Sequence, residues 1–284
     1  MHLIAQIVSL FGVAAGVVLL MFSVTRVLNR VHRRQSSWTR RWQRVAMRPV
    51  RWRFALAMAA ASAWAYVVLS GAVQAGWLVP VDIAPDAGLL PLAAQTLPLP
   101  LAALTALAVC MHAEGASARR AFGFQARQRR SGARQAPLLY LAALPVVLAA
   151  ALAWRAVLDG LAIPLAPQPL IELLQSGRLS PYAVLYISVL AVTVAPITEE
   201  LLFRGLLLPL LMRHYGPVQA VTAVSLMFAC IHFNAASIAP LFAIAAAFAL
   251  GYLWTGSLLT AILMHALFNG VNLLLLTLAA PQAL

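Results

Sequence analysis

The chain has 284 residues, of which 63% are hydrophobic and only 10% charged, with a mean hydropathy of +0.89. A soluble domain carries roughly 45–50% apolar and ~25% charged residues, so this chain cannot cover itself with polar surface and has lipid as its main solvent. Its net charge of +13 comes from 20 basic residues, all arginine, against seven acidic ones. Ten arginines lie between Arg26 and Arg53 and six between Arg119 and Arg134, in loops between apolar stretches. That clustering is a topology signal: it argues against nucleic acid as a partner and leaves attraction to anionic membrane lipids as a secondary role.

Uncharged stretches of about 17–25 residues recur, the length that crosses a hydrocarbon core of roughly 30 Å. The fold class that follows is all-α, a polytopic integral membrane helical bundle of about eight transmembrane helices. Segment one, about Ile4 to Val24, is followed rather than preceded by positive charge and has no small-residue cleavage site before Arg26, so it reads as an uncleaved anchor. The arginines after it should remain cytoplasmic, which places the N-terminus outside. Segment two runs from about Phe54 to Trp77, and Asp82 and Asp86 fall in an external loop. Segment three, about Leu89 to His112, returns to the second Arg-rich loop. Segment four, about Pro137 to Val157, leads out to a loop with Asp159 and Glu172.

From Pro181 onward polar residues enter the spans. The apolar run from about Val184 to Arg213 is interrupted by Pro196 and Glu199-Glu200 and is expected to be one long, tilted or kinked segment. Segments six (about Val218 to His232), seven (about Ile238 to Trp254) and eight (about Leu258 to Leu278) complete the count. The boundary near residue 180 divides an N-terminal set of helices with Arg-rich cytoplasmic loops, residues 1–179, from a C-terminal core, residues 180–284. Cys110 and Cys230 both lie in apolar stretches without a partner at metal-ligand spacing, which leaves them as small buried side chains.

A charge near the bilayer centre costs at least ~2.5–3.5 kcal/mol, so an ionisable group within a span is a functional candidate. The C-terminal core has Glu199, Glu200 and Arg204 on segment five, His232 on segment six, and His265 with Asn269 on segment eight. Residues four apart stack on one helix face while neighbours diverge by about 100°. Glu200 therefore faces Arg204, and Glu199 is left as the carboxylate free to meet substrate or water. Phe228 and His232 share a face, as do His265 and Asn269. At ~1.5 Å per residue from the cytoplasmic ends, the two glutamates come out about 20 Å deep, His232 about 22 Å, and His265 and Asn269 roughly 13 and 20 Å, so the groups can meet. A buried Glu–Arg pair can also be structural glue, the reading preferred here for Glu200 and Arg204, and a membrane His or Asn often only bonds a neighbouring helix.

Glu-Glu-Leu-Leu-Phe-Arg at 199–204, Phe-Ala-Cys-Ile-His at 228–232 and His-Ala-Leu-Phe-Asn at 265–269 resemble the three motifs of the CAAX protease and bacteriocin-processing family, and Thr255-Gly256-Ser257-Leu258 resembles its lead into the last motif. The resemblance covers about residues 180–284 and implies an intramembrane endopeptidase. Eukaryotic members of that family trim the last three residues from prenylated CAAX proteins. Carried over, the resemblance implies that Glu199 and His232 activate the attacking water. His265 and Asn269 would stabilise the oxyanion, and Glu200 and Arg204, with Phe228, would hold the site. The family is commonly described as metalloproteases, and Glu199, His232 and His265 are the set that could hold a catalytic Zn²⁺. The helical His-Glu-x-x-His motif is absent, however, and the resemblance also supports a metal-free glutamate mechanism.

The implied partner is a peptide or lipidated protein substrate. The absence of Lys with abundant Ala and Arg points to a high-GC bacterial gene, hence to the bacterial inner membrane, where prenylated CAAX proteins are not ordinarily supplied. The rival reading is a non-catalytic membrane scaffold or bacteriocin-immunity protein of the same fold. A small transporter is weaker, because no paired repeats or discontinuous helices recur in both halves.

Overall fold

The computed structural model describes residues 36–77, 89–163, 174 and 179–279. The expected first segment, about Ile4 to Val24, lies outside the described residues, as do Asp82, Asp86 and Glu172. Among the described residues the secondary structure is entirely helical. In chain order the helices are α1 (Ser36–Ala46), α2 (Trp52–Gln74), α3 (Leu89–Thr96), α4 (Pro98–Ala113), α5 (Ala126–Gly160), α6 (Pro181–Tyr215), α7 (Pro217–Cys230), α8 (Ile238–Thr255) and α9 (Leu258–Ala279). A four-residue helical turn, Ala118–Ala121, joins α4 to α5, and a 3₁₀ turn, Ala235–Ser237, leads into α8.

Five of these helices are long and apolar enough to cross a membrane, and α4 and α7 are shorter apolar helices. The chain is therefore an integral membrane protein by length and composition of its helices, with fewer full-length spans among the described residues than the eight segments expected. Two differences have local causes. The expected third segment divides at Leu97, because Pro98 and Pro100 bring no N–H to the helical ladder. The expected fourth begins eleven residues earlier than Pro137, at Ala126, so that Arg127, Arg129, Arg130 and Arg134 lie on a helix and not in a loop. Arg, Gln and Ala are good helix formers, and Pro137 and Pro145 sit inside the helix without ending it.

Helix α8 is the most enclosed of the spans. It packs against α5, α7 and α9, and α5 also runs along α9, while α2 packs on α4. Small residues allow the close approaches, as expected where helices associate in lipid without a hydrophobic driving force. A Cβ on Gly251 would lie 2.8 Å from Met264 Sδ, and one on Gly205 would lie 3.0 Å from the Phe122 ring.

The turn between α8 and α9 is tied to the first Arg-rich stretch. Arg48 is buried and donates to Ala121 O at 3.2 Å, to the Tyr252 hydroxyl at 2.7 Å and to Gly256 O. Arg213, near the end of α6, donates to Ala46 O at 2.8 Å and to Arg48 O. Gly256 ends α8 with a left-handed backbone, φ 69°, which only a residue without a Cβ adopts at no steric cost. These bonds fix where α9 begins, and α9 carries His265 and Asn269.

Candidate functional site

Helix α6 is not uniformly α-helical. A π-helical stretch at Leu190–Val194 precedes the α-helical turn Ala195–Glu200, and a second at Leu201–Leu207 follows it. Each ends two residues before a proline, and the cause is legible in the backbone. Ala195 N–H donates to Leu190 O and Leu208 N–H to Phe203 O, both five residues back. The next bond in that register would come from Pro196 or Pro209, which have no N–H. The carbonyl of Ala191 is thus released from the ladder, and Asn269 Nδ2 on α9 donates to it at 2.8 Å. π-Bulges are uncommon and recur at functional sites. Here two of them bracket the glutamate pair.

The expected Glu200–Arg204 pairing is present. Arg204 Nη1 lies 2.7 Å from Glu200 Oε1, with both side chains fully buried. Arg204 Nη2 donates to Ala245 O of α8 at 2.8 Å. The guanidinium lies 4.7 Å from the Phe228 ring centroid and 5.5 Å from that of Phe248, so aromatic faces replace part of the lost water. Glu200 Oε1 also takes a hydrogen bond from His265 Nδ1 at 2.9 Å. A carboxylate paired with arginine only accepts, so His265 carries its proton on Nδ1 and directs Nε2 elsewhere. That nitrogen lies 3.9 Å from Glu199 Oε2.

Glu199 differs from its neighbour. Its Oε2, like Oε2 of Glu200, is buried and has no hydrogen-bond partner among the described residues. Its side chain nonetheless retains 29% of its surface, against 0% for Glu200. It interacts electrostatically with His265, His232, Glu200 and Arg204.

Helix α7 ends at Cys230, and His232 stands in the turn beyond it rather than on the helix. Its Nδ1 lies 2.7 Å from Phe228 O, which can only accept, so Nδ1 is the protonated nitrogen and Nε2 of the neutral ring is a base. Fourteen residues of α7 rise about 21 Å, short of a ~30 Å core, so this turn falls at membrane depth. Irregular backbone is tolerated there only where it is buried in protein or lines a wet cavity. The turn is satisfied locally: Asn234 Oδ1 accepts from Ser237 N–H at 3.0 Å, and Trp154 Nε1 donates to Ala235 O at 2.8 Å.

The structure thus brings Glu199, Glu200, Arg204 and His265 into one cluster, with Phe228 at its centre. The Phe228 ring is edge-on to His265 at 5.6 Å and lies 4.9 Å from His232. Asn269 is on the same side of α9 as His265 but is held by the Ala191 carbonyl; Asn272 is exposed. Glu114, at the end of α4, pairs with Arg51 at 3.3 Å and with Arg53. Phe248 is a site residue that sequence reasoning missed. It stacks on His265 with centroids 5.0 Å apart and 21° between planes, yet an aromatic among alanines on α8 carries no distinguishing pattern.

A catalytic Zn²⁺ requires three protein donors at about 2.0–2.2 Å. Glu199 and His265 supply two that approach each other, but no set of three His, Cys, Asp or Glu side chains among the described residues is arranged to hold a metal ion. The donors as placed do not fit that ion.

Pro196→Ala supplies the missing N–H to the backbone and lets it compete for Ala191 O. We expect kcat for any turnover at this site to fall roughly tenfold or more, since a ~1 Å misplacement costs about 10²-fold. KM and thermal stability in detergent should change little. A wild-type kcat would show that the Asn269 amide is not set by this bond.

Comparison with curated proteins and with solved structures gives no significant match. Residues 181–271 match the family model described as type II CAAX prenyl endopeptidase Rce1-like. That span runs from the start of α6 into α9 and contains all three motifs, the glutamate pair with its arginine, both histidines and Asn269. The third of the chain that builds this cluster is therefore similar to the CAAX protease family.

Proposed function

We propose that the protein is an intramembrane endopeptidase that hydrolyses a peptide bond in a membrane-associated or lipidated substrate, using water activated by Glu199 and His232. The family match supports a protease with a prenylated or membrane-associated substrate class. The observation that carries the finer reading is the contrast between the two adjacent glutamates. Glu200 is fully buried and ties its Oε1 to both Arg204 and His265, whereas Glu199 has no hydrogen-bond partner at Oε2 among the described residues and its side chain keeps 29% of its surface.

In this reading Glu199 accepts a proton from water as the oxygen adds to the substrate carbonyl, with His232 Nε2 holding that water in line. The negative charge then forms on the carbonyl oxygen. Asn269 has a second Nδ2 hydrogen not used by Ala191 and can donate it there; His265, held through Nδ1 by Glu200, would face the same charge with its Nε2 side. Glu199 returns its proton to the leaving nitrogen as the C–N bond breaks, giving an amine and a carboxylic acid that then loses its proton to water or to the amine. Glu200 and Arg204 touch no reacting atom and hold His265 in register.

Residues 1–179 serve as an accessory bundle whose Arg-rich stretches face the cytoplasm, in a bacterial inner membrane crossed about eight times. The rival reading, a scaffold or bacteriocin-immunity protein with the same cluster, predicts binding without turnover. The test is cleavage of a membrane-associated peptide library by the purified protein, wild type against His232→Ala, with and without chelator. Product from wild type that falls by about 10²-fold or more in the variant, with chelator having no effect, is the expected result. No product from wild type with any substrate would favour the scaffold, and chelator sensitivity would require a metal.

A further inference from the structure

Helix α5 has 35 residues and rises about 52 Å, well beyond a ~30 Å hydrocarbon core, so its Arg-rich beginning projects from the membrane. Arg127, Arg130 and Arg134 recur there on one helical face with Ser131 and Gln135 and line a groove of about 550 Å³. A second groove of about 600 Å³ is lined by Arg40, Arg41 and Arg44 of α1. Trp254, near the end of α8, joins the two. Arg41 lies 3.9 Å over its ring and donates to its carbonyl at 3.3 Å. On the other side Trp254 Nε1 donates to Gln135 Oε1 at 2.9 Å, and Gln135 Nε2 donates to Ser131 Oγ at 2.6 Å.

Among the described residues no carboxylate pairs with these six arginines. From residue 1 to residue 135 the sequence has three acidic residues, Asp82, Asp86 and Glu114. The two aspartates lie outside the described residues, and Glu114 is taken by Arg51 and Arg53. The first 35 residues contain no acid that could fold over the grooves. Guanidinium forks spaced along a groove match phosphate oxygens, and a Trp at the membrane boundary marks the headgroup level. A zwitterionic headgroup brings its own cation and leaves this charge unbalanced.

We propose that the two grooves flanking Trp254 form a binding site for the phosphate headgroup of an anionic phospholipid. Occupancy bridges α1 to α5 across the α8–α9 corner, directly beside the Gly256 turn that sets the start of the His265 helix. The lipid would be a fixed component of the membrane-facing surface, separate from the substrate of the cluster in the bilayer interior.

The test is native mass spectrometry of the purified protein with phosphatidylglycerol and phosphatidylcholine added in equal amounts. Arg130→Gln/Arg134→Gln is compared with Arg119→Gln/Arg120→Gln, which removes the same charge from exposed positions outside both grooves. Wild type should retain phosphatidylglycerol in preference to phosphatidylcholine. The groove variant should lose about 25-fold in apparent affinity, at roughly fivefold per arginine, and the control less than about threefold. Equal losses in the two variants, or no preference between the lipids, would overturn the proposal in favour of a diffuse field. Inorganic phosphate competing as well as the lipid at equal concentration would overturn the lipid as the source of the phosphate.

Discussion

Replacing Glu199 with glutamine is expected to reduce peptide cleavage by about 10³-fold while leaving the protein as stable as wild type. The substitution keeps the shape of the side chain and removes only its capacity to take a proton. Because Oε2 has no donor among the described residues, no hydrogen bond to the protein is lost there. A neutral amide is also easier to keep from water than a carboxylate, so the melting temperature in detergent should be unchanged or higher. The loss should fall on kcat, since substrate binding does not require the proton acceptor. A variant within tenfold of wild type would remove Glu199 from the reaction and turn attention to His232 alone.

The second large effect is on stability. Arg204→Met leaves Glu200 as an uncompensated charge in a fully buried position, and breaking a buried pair in this way costs about 3–5 kcal/mol. Glu200→Gln strands the guanidinium between Phe228 and Phe248 with comparable consequences. The double variant Glu200→Gln/Arg204→Met removes both charges and should recover most of that loss, to within about 1–2 kcal/mol of wild type. Activity should not return with it, because His265 Nδ1 will have lost the anionic acceptor that orients the ring. Unfolding followed by denaturant in mixed micelles, alongside turnover, separates the two outcomes. A single Arg204→Met variant as stable as wild type would show that the pair is not the charged, buried contact described here.

How much of this was legible in the chain follows from the kind of interaction involved. Spacing alone gave the Glu200–Arg204 contact, because i,i+4 neighbours share a face whatever the rest of the fold does. Composition gave the membrane class, and apolar stretches of about 20 residues gave the helical architecture, since a run of that length spans lipid as a helix that bonds its own backbone. The motifs at 199–204, 228–232 and 265–269 located the cluster, and the family match covers the same stretch.

Contacts between helices were a different matter. That His265 bonds Glu200 rather than Glu199, and that Asn269 is held by a backbone carbonyl, depends on how α9 lies against α6, which no local pattern encodes. Pro196 was visible as an interruption, but its effect, a carbonyl released to another helix, appears only once the register of α6 is known. Phe248 stayed hidden because an aromatic becomes part of a site only through the ring it stacks upon. The sequence by itself determined the solvent, the helical class and the residues that carry charge into the membrane, because these follow from the cost of exposing polar groups to lipid. The tertiary structure decided which partner each of those residues meets, because helix packing in lipid is set by close fits such as Gly251 against Met264 and Gly205 against Phe122.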